Sequence, residues 1–124
     1  MSLMNKKIMV VDNEPDIVDL TRTVLELGGY NVVTAYSGEE CLKLLEKEKV
    51  DLVLLDIMMP DLCGWDVAAK IKENPQWKNI PIVFLTAKGD TMSIGMGEMT
   101  SEDYIIKPFD NNNLINRIQK ILEK

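Results

Sequence analysis

Four short apolar runs end in residues that could do chemistry together. Asp12 and Asn13 follow Ile8–Val11, Asp56 follows Leu52–Leu55, Thr86 follows Ile82–Leu85, and Lys107 follows Tyr104–Ile106. Carboxylate and amide oxygens at Asp12, Asn13 and Asp56 suit a hard cation, Mg²⁺ or Mn²⁺, which commonly bridges protein carboxylate to phosphate. With that cation reducing the repulsion between two anions, Asp56 could attack a phosphorus centre. Lys107 offers a mobile positive charge, able to pair with Asp56 before the reaction and with a phosphoryl oxygen after it. Thr86 offers a hydroxyl donor to that oxygen. The parts amount to phosphoryl transfer from a donor onto Asp56.

These residues are far apart in sequence, so a fold must gather them. Leu52–Leu55 has no polar alternation and fits a strand buried on both faces of a parallel sheet. Pro15 suits a first helical turn, and Ile17, Leu20, Val24 and Leu27 keep helical spacing up to Gly28-Gly29. Asn31 to Ala35 predicts a second strand. Ser37 and Glu40 form a capping box for a helix with Cys41, Leu44 and Leu45 inward. After the third strand, Pro60 through Gly64 breaks the chain, and a helix from about Trp65 to Lys72 carries Val67, Ala68 and Ile71 on one side.

Asn74-Pro75 ends that helix, Trp77 packs in the connection, and Pro81 opens the fourth strand. Lys88 to Glu102 is rich in Gly and Met, and predicts only a short or frayed helix from about Thr91 to Glu98. Asp110 is placed to cap a final helix with Leu114, Ile118 and Ile121 or Leu122 inward. Alternating strands and helices imply one α/β domain, a doubly wound five-stranded parallel sheet of flavodoxin-like architecture with helices on both faces. Polar groups at the carboxyl ends of such strands meet in one cleft.

Composition narrows the function. The 124 residues make one domain, and a net charge of −6, from 14 Lys plus Arg against 20 Asp plus Glu, opposes nonspecific binding to nucleic acid or anionic membrane. Histidine is absent, so a histidine-based phosphoryl donor must be another molecule. Cys41 and Cys63 lack metal-like spacing and fit reduced thiols in a cytoplasmic protein. No stretch has the length of a signal peptide or membrane span. Met1–Met4 reads as an expression remnant and native start, with the domain over residues 5–124.

Val-Val-Asp12-Asn13-Glu14-Pro15, Leu-Leu-Asp56-Ile-Met-Met-Pro60, Phe-Leu-Thr86-Ala87 and Tyr104-Ile-Ile-Lys107-Pro108-Phe109 together resemble the motif blocks of the response regulator receiver domain of two-component signalling. The resemblance runs from about Lys6 to the end. It implies that Asp56 is the phosphoacceptor, served by a sensor histidine kinase or a histidine phosphotransfer protein. It also implies that Asp12, Asn13, Asp56 and the Met58 backbone carbonyl hold Mg²⁺, that Thr86 and Lys107 hold the phosphoryl group, and that Thr86 and Tyr104 form a switch controlling a downstream protein partner. Self-catalysed phosphorylation and slow autodephosphorylation would follow, without turnover of an ordinary substrate.

Two positions depart from the family pattern. Asn13 stands where a second carboxylate is usual, which predicts weaker Mg²⁺ affinity. Thr100-Ser101 replaces the usual Gly-Ala turn, and the Thr86 to Lys107 spacing is one residue short, which predicts a mobile or shortened fourth helix. These departures motivate the rival reading, a phosphorylation-independent pseudo-receiver acting as an interaction module. A flavodoxin-like electron carrier is disfavoured, because Asp12-Asn13-Glu14 would repel a flavin phosphate. A small phosphohydrolase would lack a strong general base.

Overall fold

A computed structural model of the chain describes residues 6–87, 103–107 and 110–123, with the backbone alone at 86, 87, 103, 104, 106 and 107. Its strands are β1 (Lys7–Val11), β2 (Asn31–Ala35), β3 (Leu52–Asp56), β4 (Ile82–Ala87) and β5 (Asp103–Lys107). Its helices are α1 (Pro15–Leu27), α2 (Gly38–Leu45), α3 (Gly64–Glu73) and a C-terminal α4 (Asn111–Leu122). All strand pairings are parallel, in the order β2-β1-β3-β4-β5. The expected short helix over 91–98 lies outside the described residues.

Every residue of β3 is buried, as its unbroken apolar run requires of a central strand. Alternation along the strands then separates two cores. Met9, Val11, Val53, Leu55, Ile82 and Phe84 pack with Cys41 and Leu45 of α2 and Val67, Ala68 and Ile71 of α3. Ile8, Val10, Leu52, Leu54, Val83 and Leu85 pack with Val24 and Leu25 of α1 and Leu114, Ile118 and Ile121 of α4. Each such Val, Leu or Ile contributes about 1.5–3 kcal/mol relative to exposure. Trp77 is half-buried against the first core, as its place in the connection predicts.

Local signals explain both ends of α1 and the start of α2. Pro15 occupies the first turn of α1, and the Glu14 carbonyl accepts the N–H groups of Ile17 and Val18, both at 3.1 Å. Ser37 Oγ accepts the Glu40 N–H at 3.1 Å at the start of α2. Gly29, at φ 95°, supplies the left-handed turn after α1 that a side chain would resist.

The structure settles the inward face of α1, which the spacing left open, and corrects the expected cap of α4. Leu20 and Leu27 of α1 are 50% and 84% exposed; the buried stripe is Val18, Thr21, Val24 and Leu25. Thr21 can join it because its hydroxyl donates to the Ile17 carbonyl at 2.7 Å, satisfying a polar group that would otherwise be costly to bury. Asp110 is the N-cap residue of α4 through its carbonyl, which accepts the Leu114 N–H at 3.0 Å, but its side chain makes no capping bond.

Candidate functional site

Strand order reverses at β1, since the chain goes to β2 on one side and continues through β3 on the other. Such a reversal opens a crevice beyond the carboxyl ends of the two diverging strands. Val11 pairs with Leu55, so the residues that follow, Asp12 and Asp56, continue that register on strands about 4.8 Å apart. Asp12 is 0% exposed and Asp56 4%. Carboxylates are rarely buried so deeply without pairing or coordination, and placing two on adjacent strands makes a locus for positive charge.

The turn after β1 is held by its own polar groups. Asp12 donates its backbone N–H to the Ala35 carbonyl at 3.1 Å, and its Oδ1 accepts the Glu14 N–H at 3.0 Å. Asn13, between them, is exposed.

Beyond β3, Asp56 pairs with Leu85 and Ala87 pairs with Lys107. Thr86, one residue past Leu85, pairs with Ile106, and Tyr104 pairs with Phe84. The backbone therefore brings Thr86 and Lys107 to the same carboxyl edge as Asp56, with Tyr104 further back on β5. The side chains of Thr86, Tyr104 and Lys107 lie outside the described residues.

The loop from Ile57 to Cys63 is pinned at several points. Ile57 and Met59 are buried, whereas Met58 between them is 63% exposed, so the backbone at Met58 is anchored from both sides. Gly64 donates its N–H to the Ile57 carbonyl at 2.7 Å, closing the loop on itself. Trp65 packs its ring on Phe84, with centroids 4.5 Å apart at 57°.

Among the described residues, no three His, Cys, Asp or Glu side chains form a metal-binding group. The register brings together the carboxylates of Asp12 and Asp56, and the sequence expectation adds Asn13 and the Met58 carbonyl to them. An all-oxygen set short of a full protein cage fits Mg²⁺, a cation that keeps several of its waters.

The family model of the response regulator receiver domain matches residues 8–119. The chain belongs to that family. Over 122 residues this receiver domain is 43% identical to the alkaline phosphatase synthesis transcriptional regulatory protein PhoP of Bacillus subtilis (strain 168), covering 98% of this chain and 50% of the relative. Over 119 residues it is 37% identical to the transcriptional regulatory protein CpxR of Escherichia coli (strain K12), covering 95% and 50%. The chain thus spans about half the length of the curated relatives it matches.

Among solved structures, the response regulator TrrA of Thermotoga maritima in complex with Mg(2+)-BeF matches with TM-score 0.84 and 36% identity, over 94% of this chain and 98% of that one. The chemotaxis response regulator CheY4 of Vibrio cholerae matches with TM-score 0.88 and 26% identity, over 95% and 99%. No helix among the described residues of the receiver domain is long and apolar enough to cross a membrane.

Three residues around the receiver's candidate site escaped sequence reasoning. Asp61 Oδ1 accepts the Gly38 N–H at 3.2 Å and its Oδ2 accepts the Glu39 N–H at 3.0 Å, across 23 and 22 residues of sequence. Slight burial would raise its pKa, but N–H donors from Glu39, Leu62, Gly38 and Asp61 itself prevail and hold the carboxyl below its ordinary value. Gly38 and Gly64 permit close approach: a Cβ would lie 2.9 Å from Leu62 Cβ at the first and 2.5 Å from the Asp56 carbonyl oxygen at the second. A glycine at the first position of each helix was the available signal. The Asp61 contact leaves no local pattern.

Proposed function

We propose that this chain is a phosphoacceptor signalling switch in a two-component phosphorelay, working in the cytoplasm as a five-stranded, doubly wound receiver over residues 5–124. The observation that carries this reading is the burial of Asp56 beside Asp12 at the reversal of strand order. Asp56 accepts a phosphoryl group from the phosphohistidine of a sensor histidine kinase or histidine phosphotransfer protein. A carboxylate oxygen forms the bond to phosphorus while the phosphorus–nitrogen bond breaks, and that bond's electron pair returns to the donor imidazole.

Asp12, Asn13, Asp56 and the Met58 carbonyl would hold Mg²⁺ or Mn²⁺, which when bound neutralises charge between attacking and transferring oxygens. The Mg(2+)-BeF complex of TrrA supports that assignment. The Thr86 hydroxyl donates to one phosphoryl oxygen and the Lys107 ammonium pairs with another. Thr86 and Tyr104 then carry the change outward, altering affinity for a downstream protein. PhoP and CpxR, named as transcriptional regulators, support output to transcription, although the acidic charge of this domain opposes its own binding to DNA. Slow loss of the phosphoryl group, which the receiver resemblance implies, then resets the switch.

Incubation with a small acyl phosphate and Mg²⁺, followed by intact mass measurement, should show one phosphoryl group added. The Asp56→Ala variant should stay unmodified. An unmodified wild type under saturating donor would instead favour the pseudo-receiver, an interaction module independent of phosphorylation.

A further inference from the structure

We propose that Asp61 is a positioning residue for the metal centre, hooking the loop after Asp56 onto α2 so that the Met58 carbonyl is held where Mg²⁺ needs it. This rests on the metal assignment of the proposed function and names a residue outside that ligand set.

The loop has three fastenings. Its ends are joined where Gly64 N–H meets the Ile57 carbonyl at 2.7 Å. Buried Ile57 and Met59 hold the strand-proximal part on either side of exposed Met58. The remaining outer part, from Pro60 onward, is exposed or half-buried, and Asp61 ties it down through two backbone N–H groups of α2. Nothing in the local sequence demands that bond, and α2 already has a cap of its own in Ser37.

α2 is a firm anchor for the hook. Gly38 sits so close to the loop and α3 that a Cβ there would come within 2.6 Å of Val67 Cγ2 and 2.9 Å of Leu62 Cβ. One rotation or shift of the loop around Met59 would move the Met58 carbonyl, and the carboxylate hook opposes that movement with hydrogen bonds to an ionised acceptor. Groups that orient a metal ligand without touching the metal commonly govern its affinity.

Ser37 and Asp61 both satisfy N–H groups at the same helix end, but Asp61 alone also belongs to the loop. That difference supplies the test. MgCl₂ is titrated calorimetrically into the whole chain as wild type, Asp61→Ala, Asp61→Asn and Ser37→Ala, with thermal midpoints recorded for each. Asp61→Ala should raise the Mg²⁺ Kd about threefold to tenfold, a mild case of a supporting-residue loss. Ser37→Ala should lower the thermal midpoint to a similar degree and leave the Kd within experimental error.

Asp61→Asn, which keeps one acceptor oxygen and loses the charge, should fall between wild type and Asp61→Ala. Equal Kd values for Asp61→Ala and Ser37→Ala would overturn the hook. A weakening in Asp61→Ala that vanishes when the titration is repeated at high salt would assign the effect to charge at a distance and overturn it as well. A wild type that binds no Mg²⁺ would sink the metal assignment and the hook together, an outcome distinct from failure of the hook alone.

Discussion

Gly64 lies directly over the backbone of Asp56: a Cβ built on it would stand 2.5 Å from the Asp56 carbonyl oxygen and 2.7 Å from Ile57 Cα. Both neighbours are backbone atoms at the end of a central strand, so no side chain can rotate aside. The start of α3 and the end of β3 can meet this closely only at glycine.

Gly64→Ala should therefore destabilise the fold by about 1–3 kcal/mol, the usual range for forced overpacking. Urea denaturation should show a lower midpoint at unchanged m. Phosphoryl acceptance at Asp56 should fall further than the stability loss explains, because the displaced backbone carries the acceptor. A midpoint equal to wild type would mean that the loop yields freely.

Trp65 and Phe84 connect α3 to β4 through paired rings at 4.5 Å. Such pairs contribute about 0.5–1.5 kcal/mol beyond the area they bury. A double-mutant cycle of Trp65→Leu and Phe84→Leu, read by urea unfolding, should return a coupling energy in that range. Additive losses would assign both residues to simple burial.

The sheet was legible because its signal is local. Four of the strands are short runs of Ile, Val, Leu, Met, Phe and Tyr with no alternation, and each delivers its polar residue one step later. Asp12 and Asp56 were found by that rule. The inward face of α1 was not legible, because Leu20 and Leu27 share a helical stripe with Val24, and hydrophobicity alone does not reveal that Thr21 is buried with its hydroxyl bonded to the Ile17 carbonyl. Asp61 was missed for a different reason: its partners lie on a helix that precedes it by more than twenty residues. No periodicity encodes such a contact.

Burial pushes the Cys41 thiol up from its ordinary 9.0 to about 12. As pH rises, the unfolded chain loses this proton first, so the contribution is fully present below pH 9 and disappears on the way to about 12. The loss is at most about 1.4 kcal/mol per pH unit. Wild type should therefore lose stability relative to Cys41→Ala as the pH of urea denaturation is raised through this window. Parallel pH profiles for the two proteins would contradict the assignment.

Asn13 follows the buried Asp12 and is itself exposed, so a carboxylate placed there would carry no burial cost. One more carboxylate in contact with a dication is worth about 2 kcal/mol in water's dielectric. Repulsion from Asp12 and Asp56 is present with and without metal and cancels from the affinity, leaving roughly a thirtyfold gain in Mg²⁺ binding. The same repulsion acts without metal, so Asn13→Asp should be slightly less stable than wild type in chelator and regain that loss when Mg²⁺ is added. Titration calorimetry reads the first effect and thermal unfolding with and without Mg²⁺ the second. If the affinities are equal, residue 13 contributes nothing to the metal, and the weaker-binding consequence drawn from asparagine at this position fails.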